Sequence, residues 1–164
     1  MAWGILGQTS LVAPLWQMTH DLHYGISDQA RASRQRLDDA RALFSASRWR
    51  GAMYLAGYAV ECLLKAKLMR IFDCRHLREL EQELRRRGRL GAERTVFSHE
   101  LEDLLSLTGG MDRLRHDQSR WRMFNMVNRW IPAWRYAPNR SDRDDADDFL
   151  RAVDVVRNWI ENNV

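Results

Sequence analysis

The chain has 164 residues and a net charge of +4, and every one of its 26 basic residues except Lys65 and Lys67 is arginine. This length favours a single domain and allows roughly 70% of the unfolded chain's surface to be buried. The only two cysteines, Cys62 and Cys74, exclude a disulfide-rich secreted scaffold and favour a reduced, cytoplasmic setting. No zinc-binding spacing, P-loop or dinucleotide-binding fingerprint occurs, so we expect neither a metal site nor a cofactor.

The N-terminal segment, residues 1–26, is apolar but too interrupted for a membrane span. Polar residues and Pro14 break it, and it lacks the basic start of a secretory signal. We therefore expect an extension that makes no membrane contact. It either packs over the bundle or a partner subunit, or remains partly disordered. A single helical domain is predicted for residues 27–164.

Two helices are predicted at the start of this domain. Ser27 or Asp28 can cap the first, which reaches about Ser47. The second runs from about Trp49 to Phe72 and is rich in apolar and small residues. The side of the first helix that we expect to be buried shows helical spacing: Ser33, Leu37, Ala40 and Phe44.

The second helix carries a charged pair, Glu61 and Lys65, among apolar neighbours. Their order and four-residue spacing place both side chains on one face of the helix. On a solvated edge such a pair adds only roughly 0.2–0.5 kcal/mol. Beside the core, a charge is costly unless it is paired, and this alternative favours a functional role.

A short, highly charged helix is predicted from about Arg75 to Arg87, with Gly88 as its stop. A basic run follows its last turn, and such a run is either solvated surface or a contact for nucleic-acid phosphates. The candidate nucleic-acid-binding residues in this run are Arg85, Arg86, Arg87 and Arg89.

His99 is the candidate functional residue of the next helix, which is predicted from Ser98 to about Leu107 and ends at Gly109 and Gly110. At a helix start the imidazole either stabilises the turn or acts on a ligand. Because histidine titrates near neutral pH, it can bind a phosphate or transfer a proton. Residues 111–129 predict one further helix.

The last helix is predicted after an irregular connection that contains Pro132 and Pro138. Ser141 and Asp144 have the spacing of a capping box at its start. An apolar stripe follows: Phe149, Val153, Val156 and Ile160. Since no segment alternates like a strand, the predicted fold is all-α: an antiparallel up-and-down bundle of four to five main helices with short extra helices.

Three segments carry a family resemblance. Residues 54–66 contain Glu61, Lys65 and Ala66; residues 98–105 begin Ser-His-Glu-Leu; residues 134–138 read Trp-Arg-Tyr-Ala-Pro. This ordered set, over roughly residues 30–162, resembles the HEPN family, although Ala137 separates Arg-Tyr from the proline. The resemblance implies a homodimeric helical bundle whose polar groove binds nucleotide or RNA. It also implies a nucleotidyltransferase partner in a toxin–antitoxin or stress system.

The resemblance also supplies the candidate ligand-binding residues, which are Glu61, Lys65, His99, Arg135 and Tyr136. Arg135 offers a planar fork for phosphate and Tyr136 a ring for stacking. Alternatively, Arg135 pairs with Glu61 and fixes the irregular connection to the bundle. We predict that Glu61 and Arg135 lie within salt-bridge or one-water distance, and that Lys65, His99, Arg135 and Tyr136 converge on one groove.

Three functions remain open. The leading hypothesis is a nucleotide- or RNA-binding module without catalysis. The second is a metal-independent endoribonuclease, because Arg94 and His99 resemble the R-x(4–6)-H motif of HEPN ribonucleases; its candidate catalytic residues are His99, Arg94 and Arg135. The RNA 2′-hydroxyl would then attack the adjacent phosphorus while His99 moves the proton and an arginine steadies the charge. The third is a structural protein whose grooves serve subunit assembly.

Overall fold

The computed structural model describes residues 25–136 and 141–164. Within these ranges, five helices have ten residues or more. This confirms the all-α bundle of four to five main helices with short extra helices. The helices are α1 (Ile26–Ser45), α2 (Trp49–Ile71), α3 (Leu77–Arg86), α4 (Leu101–Thr108), α5 (Met111–His116), α6 (Gln118–Val127), a 3₁₀ helix (Pro132–Tyr136) and α7 (Arg143–Asn163).

The predictions made for residues 1–24 and for Pro138 lie outside the described residues. None of the helices in the described ranges has the length and apolar character that crossing a membrane requires.

Helix α2 lies at the centre of the bundle. It packs against α1, α4, α7 and the 3₁₀ helix, and its buried residues surround the helix rather than form one stripe. A helix that is apolar on all sides is stable only when other elements cover it. Residues 46–48 are the whole connection between α1 and α2, so these two helices lie side by side and antiparallel.

The interface of α1, α2 and α7 combines apolar packing with a polar contact. The predicted apolar stripe of α7 is confirmed, because Phe149, Val153, Val156 and Ile160 are all buried. Ser33 of α1 donates its hydroxyl hydrogen to the Ala59 carbonyl at 2.7 Å. Arg157 of α7 donates to the Ser33 carbonyl at 3.1 Å. These bonds join the three long helices.

Three predicted helix starts are wrong. Helix α1 begins after Gly25, which makes no side-chain cap, and the backbone of Gly25 instead pairs with that of His76. Helix α7 is capped by Asp142 rather than Ser141, because its carboxylate accepts the hydrogen of Asp145 N at 2.8 Å. Helix α4 also starts later than predicted, at Leu101.

The single helix predicted for residues 111–129 is two helices, α5 and α6. Asp117 between them has an extended backbone, and its side chain accepts from Arg120 N at 3.0 Å. The carboxylate therefore caps a new helix instead of continuing the old one. The predicted stops after α3 and α4 are confirmed, because Gly88 and Gly109 have φ values of 66° and 76°.

Candidate functional site

Glu61 and Lys65 form a buried ion pair on α2. Their side chains are 2% and 6% exposed, and Lys65 Nζ donates to Glu61 Oε1 at 2.6 Å. The solvated alternative is therefore wrong, and the pair belongs to the interior. Two charges taken out of water are costly, so each polar atom of the carboxylate needs a partner.

The second partner of Glu61 is His99, whose Nδ1 lies 2.9 Å from Glu61 Oε2. A carboxylate only accepts hydrogen bonds, so Nδ1 is the donor in this contact, and whenever the ring is neutral Nε2 is the acceptor. The His99 side chain is 50% exposed, whereas the carboxylate behind it is buried. His99 stands in the connection before α4 rather than in its first turn. The buried pair thus orients a solvent-accessible imidazole.

An aromatic row continues from His99 along α2. Trp130 lies edge-on to His99 with ring centroids 6.4 Å apart, and it stacks on Tyr58 at 6.4 Å and on Tyr54 at 6.2 Å. Its indole Nε1 donates to the Tyr54 carbonyl at 2.9 Å. Burial raises the pKa of the Tyr58 hydroxyl to about 12, and electrostatic coupling to the acidic groups of Cys62 and Glu61 adds to this.

Sequence reasoning missed Trp130. The available signal was Gly57, a small residue in a central helix, which suggests that something bulky lies against it. A Cβ at Gly57 would lie 2.2 Å from Trp130 Cδ1. Glycine is therefore what lets the indole approach the α2 backbone this closely.

A cavity of about 410 Å³ opens at the other end of this row. The Arg50 guanidinium lies 4.8 Å from the centre of the Trp134 ring, and that of Arg135 lies 4.8 Å from the Tyr136 ring. Tyr136 itself is 77% exposed. The lining combines three guanidinium groups with aromatic and small residues: Arg48, Arg50, Arg135, Tyr54, Trp134, Leu43 and Gly51.

The predicted pairing of Glu61 with Arg135 is not formed. Lys65 and His99 use both oxygens of the carboxylate, and Arg135 lies instead over the Tyr136 ring. The four predicted groove residues therefore occupy two places. Tyr54, which lines the arginine cavity, precedes Glu61 by seven positions, or about 10 Å along the helix. The aromatic row connects the two places.

The basic run is largely compensated by acidic residues of α3. Arg85 donates to Glu81 at 3.0 Å, and Arg86 and Arg87 bind Glu83 at 2.7 Å and 2.5 Å. Hydrogen bonds from Arg86 and Arg87 lower the pKa of Glu83 to about 2. Arg85, Arg86 and Arg87, which were predicted to contact nucleic acid, thus form ion pairs within the protein.

The other two arginines of this region have partners elsewhere. Arg89 lies 5.6 Å from the centre of the Phe72 ring. Arg94, the arginine of the R-x(4–6)-H spacing, has its Nη1 3.7 Å from Asp103 Oδ1. Over residues 25–136 and 141–164, no group of three or more His, Cys, Asp or Glu side chains is arranged to hold a metal ion.

Comparison with known proteins identifies a family. The family model described as HEPN domain matches residues 26–163, which is most of the chain. No curated protein and no solved structure matches significantly. The matched family supports a module whose function is related to nucleotides or RNA.

Proposed function

Because this chain belongs to the HEPN family, we propose that it is a nucleotide- or RNA-binding module whose ligand lies along α2, from the arginine cavity to His99. The observation that carries this proposal is the cavity of about 410 Å³ in which Arg48, Arg50 and Arg135 surround Tyr54 and Trp134. Its volume falls in the range of about 300–1,000 Å³ that small-molecule sites occupy.

The lining of this cavity offers separate groups for the phosphate and for the base of a nucleotide. Guanidinium groups bind phosphate through paired hydrogen bonds and remain charged at any physiological pH. Aromatic rings stack on bases without selecting among them, a contact worth about 1–3 kcal/mol per base. Tyr136, exposed at the edge of the 3₁₀ helix beside Arg135, adds a second stacking surface. A single-stranded RNA segment and a free nucleotide both carry a phosphate for the arginines and a base for the aromatic rings.

The candidate ligand residues then take two different roles. Arg135, Tyr136 and His99 are exposed enough to touch the ligand. Glu61 and Lys65 are buried, so they act through His99 by fixing the orientation of its ring. We further propose that the protein is a cytoplasmic homodimer that works with a nucleotidyltransferase partner in a toxin–antitoxin or stress system. Light scattering that gives the monomer mass at high concentration would contradict the dimer.

Fluorescence anisotropy with a labelled single-stranded RNA and with labelled ATP tests the binding site. Arg135→Ala should weaken binding by roughly tenfold or more, because a charge-assisted hydrogen bond contributes about 1.5–3 kcal/mol. It should also reduce the slope of log affinity against log salt concentration by about one.

The matched control is Arg113→Ala, which removes an exposed arginine of α5 that does not line the cavity. The control should bind like the original protein. Equal effects of the two substitutions, or no binding of either ligand, would contradict the proposal.

A second candidate function is metal-independent RNA cleavage, and the Glu61–His99 contact favours it. A carboxylate behind Nδ1 leaves Nε2 able to take the 2′-hydroxyl proton of RNA. The freed oxygen would attack the adjacent phosphorus while the bond from phosphorus to the 5′-oxygen breaks. That oxygen takes a proton from water, which leaves a cyclic phosphate on one strand and a 5′-hydroxyl on the other.

Incubation of the same RNA with the protein in EDTA tests this second function. Cleavage products with cyclic-phosphate ends should disappear in His99→Ala. They should persist in His116→Ala, an exposed histidine of α5 whose Nδ1 contacts the Asp112 carbonyl. RNA that stays intact while still binding would leave the non-catalytic module as the function.

A further inference from the structure

A second basic cavity, of about 210 Å³, lies between α1, α2 and α7. Its lining residues on α2 include Leu63, Lys67 and Arg70. Since each residue turns an α-helix by about 100°, these positions lie on the side opposite Glu61 and Lys65. The cavity is therefore separate from the surface proposed above to bind RNA or a nucleotide.

The charges around this cavity do not balance. Four cationic side chains, Arg34, Lys67, Arg70 and Arg157, surround it, and Glu161 is the one carboxylate in its lining. The Glu161 carboxylate is already paired, because Arg157 donates to its Oε1 at 3.2 Å, and Lys67 donates to the Glu161 backbone carbonyl at 2.9 Å. The remaining positive charge favours a ligand with more than one negative charge.

A buried arginine that is held by hydrogen bonds forms part of the cavity lining. Arg157 is 7% exposed, and its bond to the Ser33 carbonyl fixes one edge of the guanidinium plane. A guanidinium group has five N–H donors, so these two bonds leave others for a ligand. Burial and the neighbouring charge of Arg70 lower the pKa of Lys67, although Glu161 opposes this. Lys67 therefore loses stabilisation of its charged form that an anion would restore.

We propose that this cavity binds a phosphoryl group. Three lining residues, Ala30, Leu63 and Ala66, are apolar and add no hydrogen-bond acceptor. The planar guanidinium groups and the compact ammonium group of Lys67 supply the donors. The volume is smaller than the arginine cavity on the other face, so it suits a phosphate or diphosphate better than a whole nucleotide. The group comes either from a free anion or from the backbone of RNA.

Isothermal titration with pyrophosphate, at ionic strength held constant with sodium chloride, tests this site. Arg70→Ala should weaken binding by roughly tenfold, because it removes an exposed cation of the lining. Glu161→Gln should strengthen binding severalfold, because it removes the carboxylate that competes with the anion. Neither substitution leaves a void in the hydrophobic core, because the side chains of Arg70 and Glu161 are both exposed to solvent.

The matched control is Arg31→Ala on α1, whose side chain is 61% exposed and does not line the cavity. It should bind pyrophosphate like the original protein. No pyrophosphate binding, or equal effects of Arg70→Ala and Arg31→Ala, would overturn the proposal. Competition by single-stranded RNA would identify backbone phosphate as the source, and its absence would identify a free anion.

Discussion

Gly57 is the point where the backbone of the central helix touches the candidate site directly. Because it has no Cβ, the Trp130 ring lies against α2 and reaches the Tyr54 carbonyl with its Nε1. The same ring contacts His99 edge-on. One missing methyl group thus determines where the aromatic row lies relative to the imidazole.

Gly57→Ala should lower the free energy of unfolding by about 1–3 kcal/mol, the usual cost of overpacking. The new methyl would displace Trp130 and break its bond to Tyr54, although alanine is the better helix former by about 1 kcal/mol. The control is Gly51→Ala in the same helix, where the nearest atom is the flexible end of Leu43, 3.2 Å away. Urea denaturation measures both, and equal stability of the two variants would contradict the role of the close contact.

The partners of Glu61 show which contacts a sequence predicts and which it does not. The Lys65 bond follows from a four-residue spacing on one helix, so the pattern alone predicts it. The His99 bond joins residues 38 positions apart, and its formation depends on the path of the chain after α3. The sequence predicts Arg135 as the second partner, whereas the folded path brings His99 to the carboxylate.

At the scale of the helices, periodicity predicted the elements well and their ends less well. The apolar stripe of α7 is buried as expected, because a period of 3.6 residues reports directly on the covered face. The break at Asp117 was missed because residues 111–129 contain no glycine or proline to mark it. An aspartate can stand either at a helix N-cap or inside a helix, so local composition does not decide whether Asp117 starts a new helix or continues the old one.

The basic run after α3 illustrates the same limit for charge. Five arginines within ten residues indicated a nucleic-acid contact, but Glu81 and Glu83 lie one helical turn earlier and bind three of them. By contrast, Arg48 and Arg50 are separated in sequence from Arg135, and the fold brings all three to one cavity. Charge clusters in space are therefore a better guide here than charge clusters in sequence.

The molecule as a whole carries buried acidic groups that are neutral at physiological pH. Burial raises the pKa of the Cys62 thiol from 9.0 to about 12 and that of the Tyr58 hydroxyl from 10.0 to about 12. In the unfolded chain both groups lose their protons at lower pH than in the folded protein. The folded state therefore binds more protons between about pH 9 and 12, and its stability falls as the pH rises through this window.

Urea denaturation at about pH 8 and about pH 10.5 should show this loss of stability. Tyr58→Phe should reduce the difference between the two pH values, because phenylalanine has no proton to lose. The control is Tyr136→Phe, which removes a hydroxyl that is 77% exposed and should leave the difference unchanged. Unfolding free energies that are equal at the two pH values in the original protein would contradict the assignment.

The connection from α3 to α4, which contains His99, is held in place by several hydrogen bonds. Arg85 donates to the carbonyls of Gly91 and Arg94 at 3.0 Å and 2.8 Å, and Glu81 accepts from the Thr95 hydroxyl at 2.5 Å. Ordering a flexible loop on binding costs conformational entropy that subtracts from affinity. In this protein the segment before His99 is already ordered by these bonds in the folded state, so ligand binding does not have to order it. A ligand that reaches His99 meets a preorganised imidazole, so association need not wait for a conformational search by this segment.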